Sequence, residues 1–249
     1  MDLRDTVSIV TGGNGGLGQR ICLALAAKGS RIAVVYATSK SGAEKFSDEL
    51  RSSGFEAKAF QCNVSSPAQV QNLVANVEDH FGGVDILIND AAYNKMIAFD
   101  DLDNLTHEEW TKILDINLTG PMLTTKAVAP SMMNRKKGRI VNISSIAGLT
   151  PSGSSIAYAV SKAGLNHLTR CMAVGLAPHI LVNCIAPGHL EGTRATANLD
   201  PEFSKSAREG SLLKRSADKD DIANQVVSFC QTDSVTGQTL VIDAGRYFH

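Results

Sequence analysis

The chain has 249 residues, of which 43% are hydrophobic and 20% charged, enough to build one large α/β domain with a full core. A formal net charge of −1 gives no electrostatic basis for binding nucleic acid, and no apolar run approaches the ~20 residues of a membrane span. The five cysteines (Cys22, Cys62, Cys171, Cys184, Cys230) lack a Cys-x-x-Cys pair, and the first residues carry acids where a secretory signal needs a basic stretch. Free thiols in a reducing cytoplasm are therefore expected.

In chain order, apolar runs of strand length alternate with helical patterns. Val7–Thr11 predicts a buried strand, followed by glycines and a helix over 17–28. Arg31–Tyr36 predicts the second strand, 43–53 a helix closed by Gly54, and 56–61 the third strand. A helix over 68–81 and an almost wholly apolar strand over 84–89 come next; such a strand suits a sheet covered on both faces. Helices are expected over 107–117 and Gly120–Asn134, a strand over 139–144, and a helix over Ile156–Leu176. A strand over 180–185, a helix over 218–230 and a last strand over 239–243 complete the pattern. Residues 192–216 show no clear periodicity, and 189–216 is expected to form a substrate loop. The alternation predicts a doubly wound, Rossmann-like, mostly seven-stranded parallel sheet with helices on both faces, in a single domain over 1–249.

Thr11-Gly12-Gly13-Asn14-Gly15-Gly16-Leu17-Gly18 falls between the first strand and first helix. Glycines there let backbone N–H groups approach a pyrophosphate at the positive end of the helix. The strand–turn–helix setting is what gives the cluster a dinucleotide reading. Where the second strand ends, a carboxylate would accept from the ribose 2′-hydroxyl of NAD and repel the extra phosphate of NADP. This chain has Tyr36-Ala37-Thr38-Ser39-Lys40, with two hydroxyls and a cation and no acid. NADP(H) is therefore favoured over NAD(H); capping of the next helix is the competing use of Thr38 and Ser39.

Tyr158 and Lys162 are four apart in a helical pattern and share one face. Ser144-Ser145 closes a predicted strand and Asn117 follows a helix. Ligands of doubly wound sheets bind beyond the carboxyl ends of the strands, which brings Ser145 and the glycine turn to one rim. Carbonyl reduction builds negative charge on oxygen, and a phenol within reach can supply the proton. A free tyrosine titrates near ~10, so Tyr158 acting as a base in the alcohol-oxidising direction needs its anion stabilised by Lys162, aided by the positive charge of oxidised nicotinamide; lowering the value by ~3 units takes roughly 4 kcal/mol. Ser145 would donate a hydrogen bond to the substrate oxygen.

Together these motifs resemble the short-chain dehydrogenase/reductase family along the whole chain, and are most similar to 3-oxoacyl-thioester reductases and related carbonyl reductases. Thr11-Gly12-x-x-x-Gly16-x-Gly18, Asn117, Ser145, Tyr158-x-x-x-Lys162 and Asn183-x-x-x-Pro187-Gly188 carry the resemblance. It implies that Asn117, Ser145, Tyr158 and Lys162 are catalytic, with Lys162 also holding the nicotinamide ribose and Asn117 anchoring a relay water. Cofactor contacts are expected from Gly12, Asn14, Gly15, Gly16, Leu17 and Gly18, and from Tyr36, Ala37, Thr38 and Ser39. Asn63, Val64, Asn89, Ala91, Tyr158, Lys162, Pro187, Gly188 and Leu190 complete that set. A homotetramer (or homodimer) acting in the cytoplasm on a small carbonyl or alcohol follows from the same resemblance, with no metal, nucleic acid or membrane partner.

The chain also departs from the family. Asn89-Asp90-Ala91-Ala92 stands where Asn-Asn-Ala-Gly is usual, and Asn63 where an aspartate is usual. Gly15 replaces a basic residue common in NADP-preferring members, and Asp243-Ala244-Gly245 replaces Asp-Gly-Gly. One extra residue precedes Thr193, which weakens Thr193 as a ligand, and His189 reads as a polar wall residue. An NAD-dependent alcohol dehydrogenase is the near alternative. A non-catalytic nicotinamide sensor is the distant one, disfavoured because a pure binder has no use for a proton donor.

Overall fold

The computed structural model describes residues 1–193 and 201–248. Seven strands form one sheet in the order β3-β2-β1-β4-β5-β6-β7: β1 Val7–Thr11, β2 Arg31–Tyr36, β3 Ala57–Gln61, β4 Ile86–Asn89, β5 Gly138–Ile143, β6 Ile180–Pro187 and β7 Thr239–Ile242. Every pairing is parallel. Both faces of the central strands are covered, so β1, β4 and β5 are buried along their whole length. On one face α1 (Gly18–Ala26), α2 (Lys40–Ser52) and α8 (Lys219–Gln231) enclose Val10, Ile32, Ile88 and Ile185. On the other, α3 (Pro67–Phe81), α5 (Gly120–Asn134) and α6 (Ile156–Leu176) enclose Ile9, Leu87, Ile140 and Val182.

Two expectations need correction. The helix expected over 107–117 stops earlier: α4 spans His107–Leu114 and runs into a π turn over Asp115–Thr119, which carries Asn117. Apolar spacing does not reveal a switch to i→i+5 bonding. The supposedly irregular 192–216 contains a helix, α7 (Pro201–Glu209), whose polar sequence hides it. Proline at its first position, Glu202 in its first turn and Arg208 in its last all suit a helix. The part of the expected substrate loop over 194–200 lies outside the described residues.

Order change at β1 and β4 opens the rim where the site forms, as the strand order requires. Past β7, the Asp243 carboxylate accepts from the N–H groups of Gly245 (2.9 Å), Arg246 (3.1 Å) and Tyr247 (2.7 Å). These bonds hold Ala244 in the left-handed region at φ 59°. A side chain there is strained. Ala244→Gly is therefore expected to stabilise the fold by about 1 kcal/mol, a rise of ~2–4 °C in Tm by calorimetry.

Candidate active site

At the carboxyl ends of the strands a cleft of about 530 Å³ runs from the glycine turn to Ser145, Tyr158 and Lys162. Its first end is built from backbone. Gly12 sits at φ 68°, and a Cβ on Gly18 would lie 2.3 Å from the Gly12 carbonyl oxygen, so the turn tolerates no larger residue there. Leu17 begins α1 without a side-chain cap; the Gln19 N–H is bonded to the Gly15 carbonyl at 2.9 Å, and the positive end of the helix faces the cleft beside Gly16 and Leu17. The cleft then passes Tyr36, Ala37 and Thr38 at the end of β2, and Asn63 and Val64 after β3. An extended trough with a bare backbone turn at one end fits a dinucleotide.

The other end is set by α6. Buried Ser155 caps that helix by accepting from the Tyr158 N–H (3.1 Å), which fixes Tyr158 in the first turn. One turn on, buried Lys162 places its Nζ 5.7 Å from the centre of the Tyr158 ring and donates to the Ile143 carbonyl at 2.8 Å. Ser145 follows β5 and lines the same end of the cleft, with its hydroxyl near the Tyr158 phenol.

Burial raises Tyr158 above the ordinary tyrosine value; the Ser145 hydroxyl opposes the rise and the Asp90 carboxylate adds to it. Lys162 is itself lowered to about 8 by burial, with Asp90 holding it back. Half-buried Asp90, opening on the cleft, is raised to about 7 by desolvation against the pull of Lys162. Lys162 and Asp90 thus each favour the other's charged form, and the phenol stays protonated at neutral pH.

The cleft gathers Gly12, Asn14, Gly15, Gly16, Leu17, Tyr36, Ala37, Thr38, Asn63, Val64, Ala91, Ser145, Tyr158, Lys162, Pro187, Gly188 and Leu190. Four expected residues do not line it. Gly18 lies behind the turn, packed on Gly12 and Gly13. Ser39 stands at the start of α2, where its carbonyl accepts from Asn14 Nδ2 (3.2 Å) and its side chain caps nothing. Asn89 is turned into the core: its amide donates to Asn142 Oδ1 (2.8 Å) and accepts from Thr124 Oγ1 (2.7 Å). Asn117, fully buried, brackets the Tyr93 backbone, accepting from its N–H (2.8 Å) and donating to its carbonyl (2.9 Å), and also reaches Ser161 Oγ (3.1 Å).

Asp90, Tyr93 and Arg246 line the cleft and were not singled out as site residues. Asp90 could have been found from its departure from the family motif. Arg246 comes from the far end of the chain, and no local signal marks it. Thr193 lines the cleft in spite of the extra residue before it, and so does His189, whose protonation burial disfavours. Four of the five cysteines are buried and none is bridged, and among the described residues no cluster could hold a metal.

The model of the short chain dehydrogenase family matches residues 6–203. A 3-oxoacyl-(acyl-carrier-protein) reductase of Staphylococcus epidermidis is 35% identical over 248 residues, covering 96% of this chain and 98% of the relative. The human dehydrogenase/reductase SDR family member 4 is 35% identical over 247 residues, covering 98% of this chain and 88% of the relative. A solved structure from Agrobacterium tumefaciens, provisionally assigned as a gluconate dehydrogenase, superposes with a TM-score of 0.92 at 29% identity, covering 98% of this chain and 97% of the other. The chain belongs to the short-chain dehydrogenase/reductase family. It is an oxidoreductase of that family acting on C=O or CH–OH groups, and the family uses NAD(P)(H).

Proposed function

We propose that this enzyme reduces a small carbonyl compound to the alcohol with NADPH, through Tyr158, Ser145, Lys162 and Asn117. The observation that carries the reading is the phenol of Tyr158, facing Ser145 and above Lys162, at one end of a cleft that begins at an uncapped helix. When bound, the nicotinamide supplies a hydride to the carbonyl carbon. Ser145 and Tyr158 hold the carbonyl oxygen, and Tyr158 delivers its proton as negative charge develops there. A phenol raised by burial is a proton donor at neutral pH, which favours the reductive direction. Lys162 orients the ribose and restores charge balance when the phenol gives up its proton. Asn117 acts as a positioning residue, fixing the Tyr93 wall of the cleft.

Cofactor choice rests on the end of β2. No carboxylate lies between Tyr36 and Lys40, Thr38 lines the cleft, and the Ser39 hydroxyl is not spent on capping α2. Lys40 is exposed and 3.7 Å from Glu44, close enough to neutralise part of its charge but free to turn. Fluorescence titration is expected to give a Kd for NADPH about tenfold or more below that for NADH, the scale of one extra charge-assisted phosphate contact. A preference for NADH overturns this assignment. Turnover of NADPH against a panel of ketones, quinones and acyl thioesters then defines the substrate. A homotetrameric state (or a homodimer), supported by Val160 and Val174 exposed on α6, belongs to the same reading, as does a cytoplasmic location.

A further inference from the structure

Asp90 opens on the cleft. It stands where the family usually has asparagine, and it puts a carboxylate in the same cleft as Tyr158 and Lys162. Its backbone is held independently of its side chain: the Asp90 and Ala91 N–H groups both donate to Thr11 Oγ1 at 3.1 Å. Among the described residues the carboxylate itself accepts no hydrogen bond and forms no ion pair in contact. The titratable groups facing it are Lys162 and Tyr158 from α6 and the Cys22 thiol from α1. Lys162 donates to the Ile143 carbonyl at 2.8 Å and makes no contact ion pair with Asp90, so the negative charge of Asp90 is only partly answered by the protein.

We infer that Asp90 is a positioning charge that makes the cleft bind the oxidised, cationic nicotinamide more tightly, relative to the reduced form, than a neutral residue there would. This rests on the reading above, which puts the nicotinamide beside Tyr158. The two redox forms differ by one positive charge on the ring, so a partly answered carboxylate in the same cleft discriminates between them electrostatically. Binding of the cation also favours the ionised carboxylate, so a protonated Asp90 must release its proton to solvent as the oxidised form binds. Desolvation has raised Asp90 to about 7, which puts that release within reach of ordinary buffers.

The test is calorimetric titration of NADP⁺ and NADPH into the wild type, Asp90→Asn and Asp90→Ser, at pH 5.5 and 8.5. Asp90→Asn installs the family's usual residue, and Asp90→Ser is a second neutral variant. At pH 8.5 the ratio of Kd for NADPH to Kd for NADP⁺ is expected to be about tenfold higher in the wild type than in either variant, the size of one unit charge acting through a protein cleft. At pH 5.5, with Asp90 protonated, the three ratios converge. Near pH 6.5, the wild-type heat for NADP⁺ depends on the buffer's ionisation enthalpy through proton release, and both variants lose most of that dependence. Equal ratios at pH 8.5 in proteins that bind both forms overturn this inference and leave the proposed function intact. Failure of the wild type to bind either form overturns both.

Discussion

Replacing Tyr158 by phenylalanine is expected to lower kcat by about 10²–10⁴ while the dinucleotide Kd stays within about threefold. The substitution removes one hydroxyl and little else. Ser155 caps α6 through the backbone N–H of residue 158, so the helix start survives, and the ring still packs beside Lys162. Steady-state turnover together with a fluorescence titration of the cofactor separates the two effects. Turnover that survives the change moves the proton donor elsewhere in the cleft, and the proposed mechanism fails.

Lys162→Met is expected to lower kcat by about 10² or more and also to weaken dinucleotide binding, because this residue serves both. Methionine fills a similar volume but leaves the Ile143 carbonyl without its donor and Asp90 without its nearby cation. In the wild type, Lys162 is charged below about pH 8 and neutral above it, so a reductive rate that needs the cation falls as pH rises through that value. The pH profile of the variant lacks that limb. Stability carries the same signature with the opposite sign. Between about 8 and the ordinary lysine value of 10.5 the unfolded chain binds the Lys162 proton more tightly than the folded one. Wild-type stability therefore gains from rising pH across that window, and Lys162→Met lacks this gain. Denaturant midpoints measured at pH 7.5 and 10 read the difference directly.

Much of this was legible in the sequence because a sheet covered on both faces writes its strands as apolar runs. The bounds of β1, β2, α5 and α6 follow from periodicity alone. The glycine turn and the Tyr158–Lys162 pair were readable for a related reason: each is local, set by spacing within one turn or one helix. What escaped was non-local. Asn89 looks like a ligand in sequence, yet its partner Asn142 sits beside it in the β4–β5 register, so the pair and Thr124 satisfy each other in the core. Two asparagines at neighbouring strand ends were the available clue. Spacing gives proximity but not burial, so the desolvation that raises the Tyr158 phenol left no trace in the sequence. The π turn at Asp115–Thr119 and the helix α7 left no apolar stripe to read.

Thr11 shows how little material secures the floor of this cleft. Its buried hydroxyl accepts from the Asp90 and Ala91 N–H groups and donates to the Ile88 carbonyl at 3.2 Å, so its proton and both lone pairs are used. One oxygen atom thereby stitches the end of β1 to the segment that leaves β4. Valine, the same shape, would keep the packing and leave the Asp90 and Ala91 N–H groups without their acceptor. At this position the isosteric replacement is the disruptive one, and the volume of a side chain says nothing about its importance.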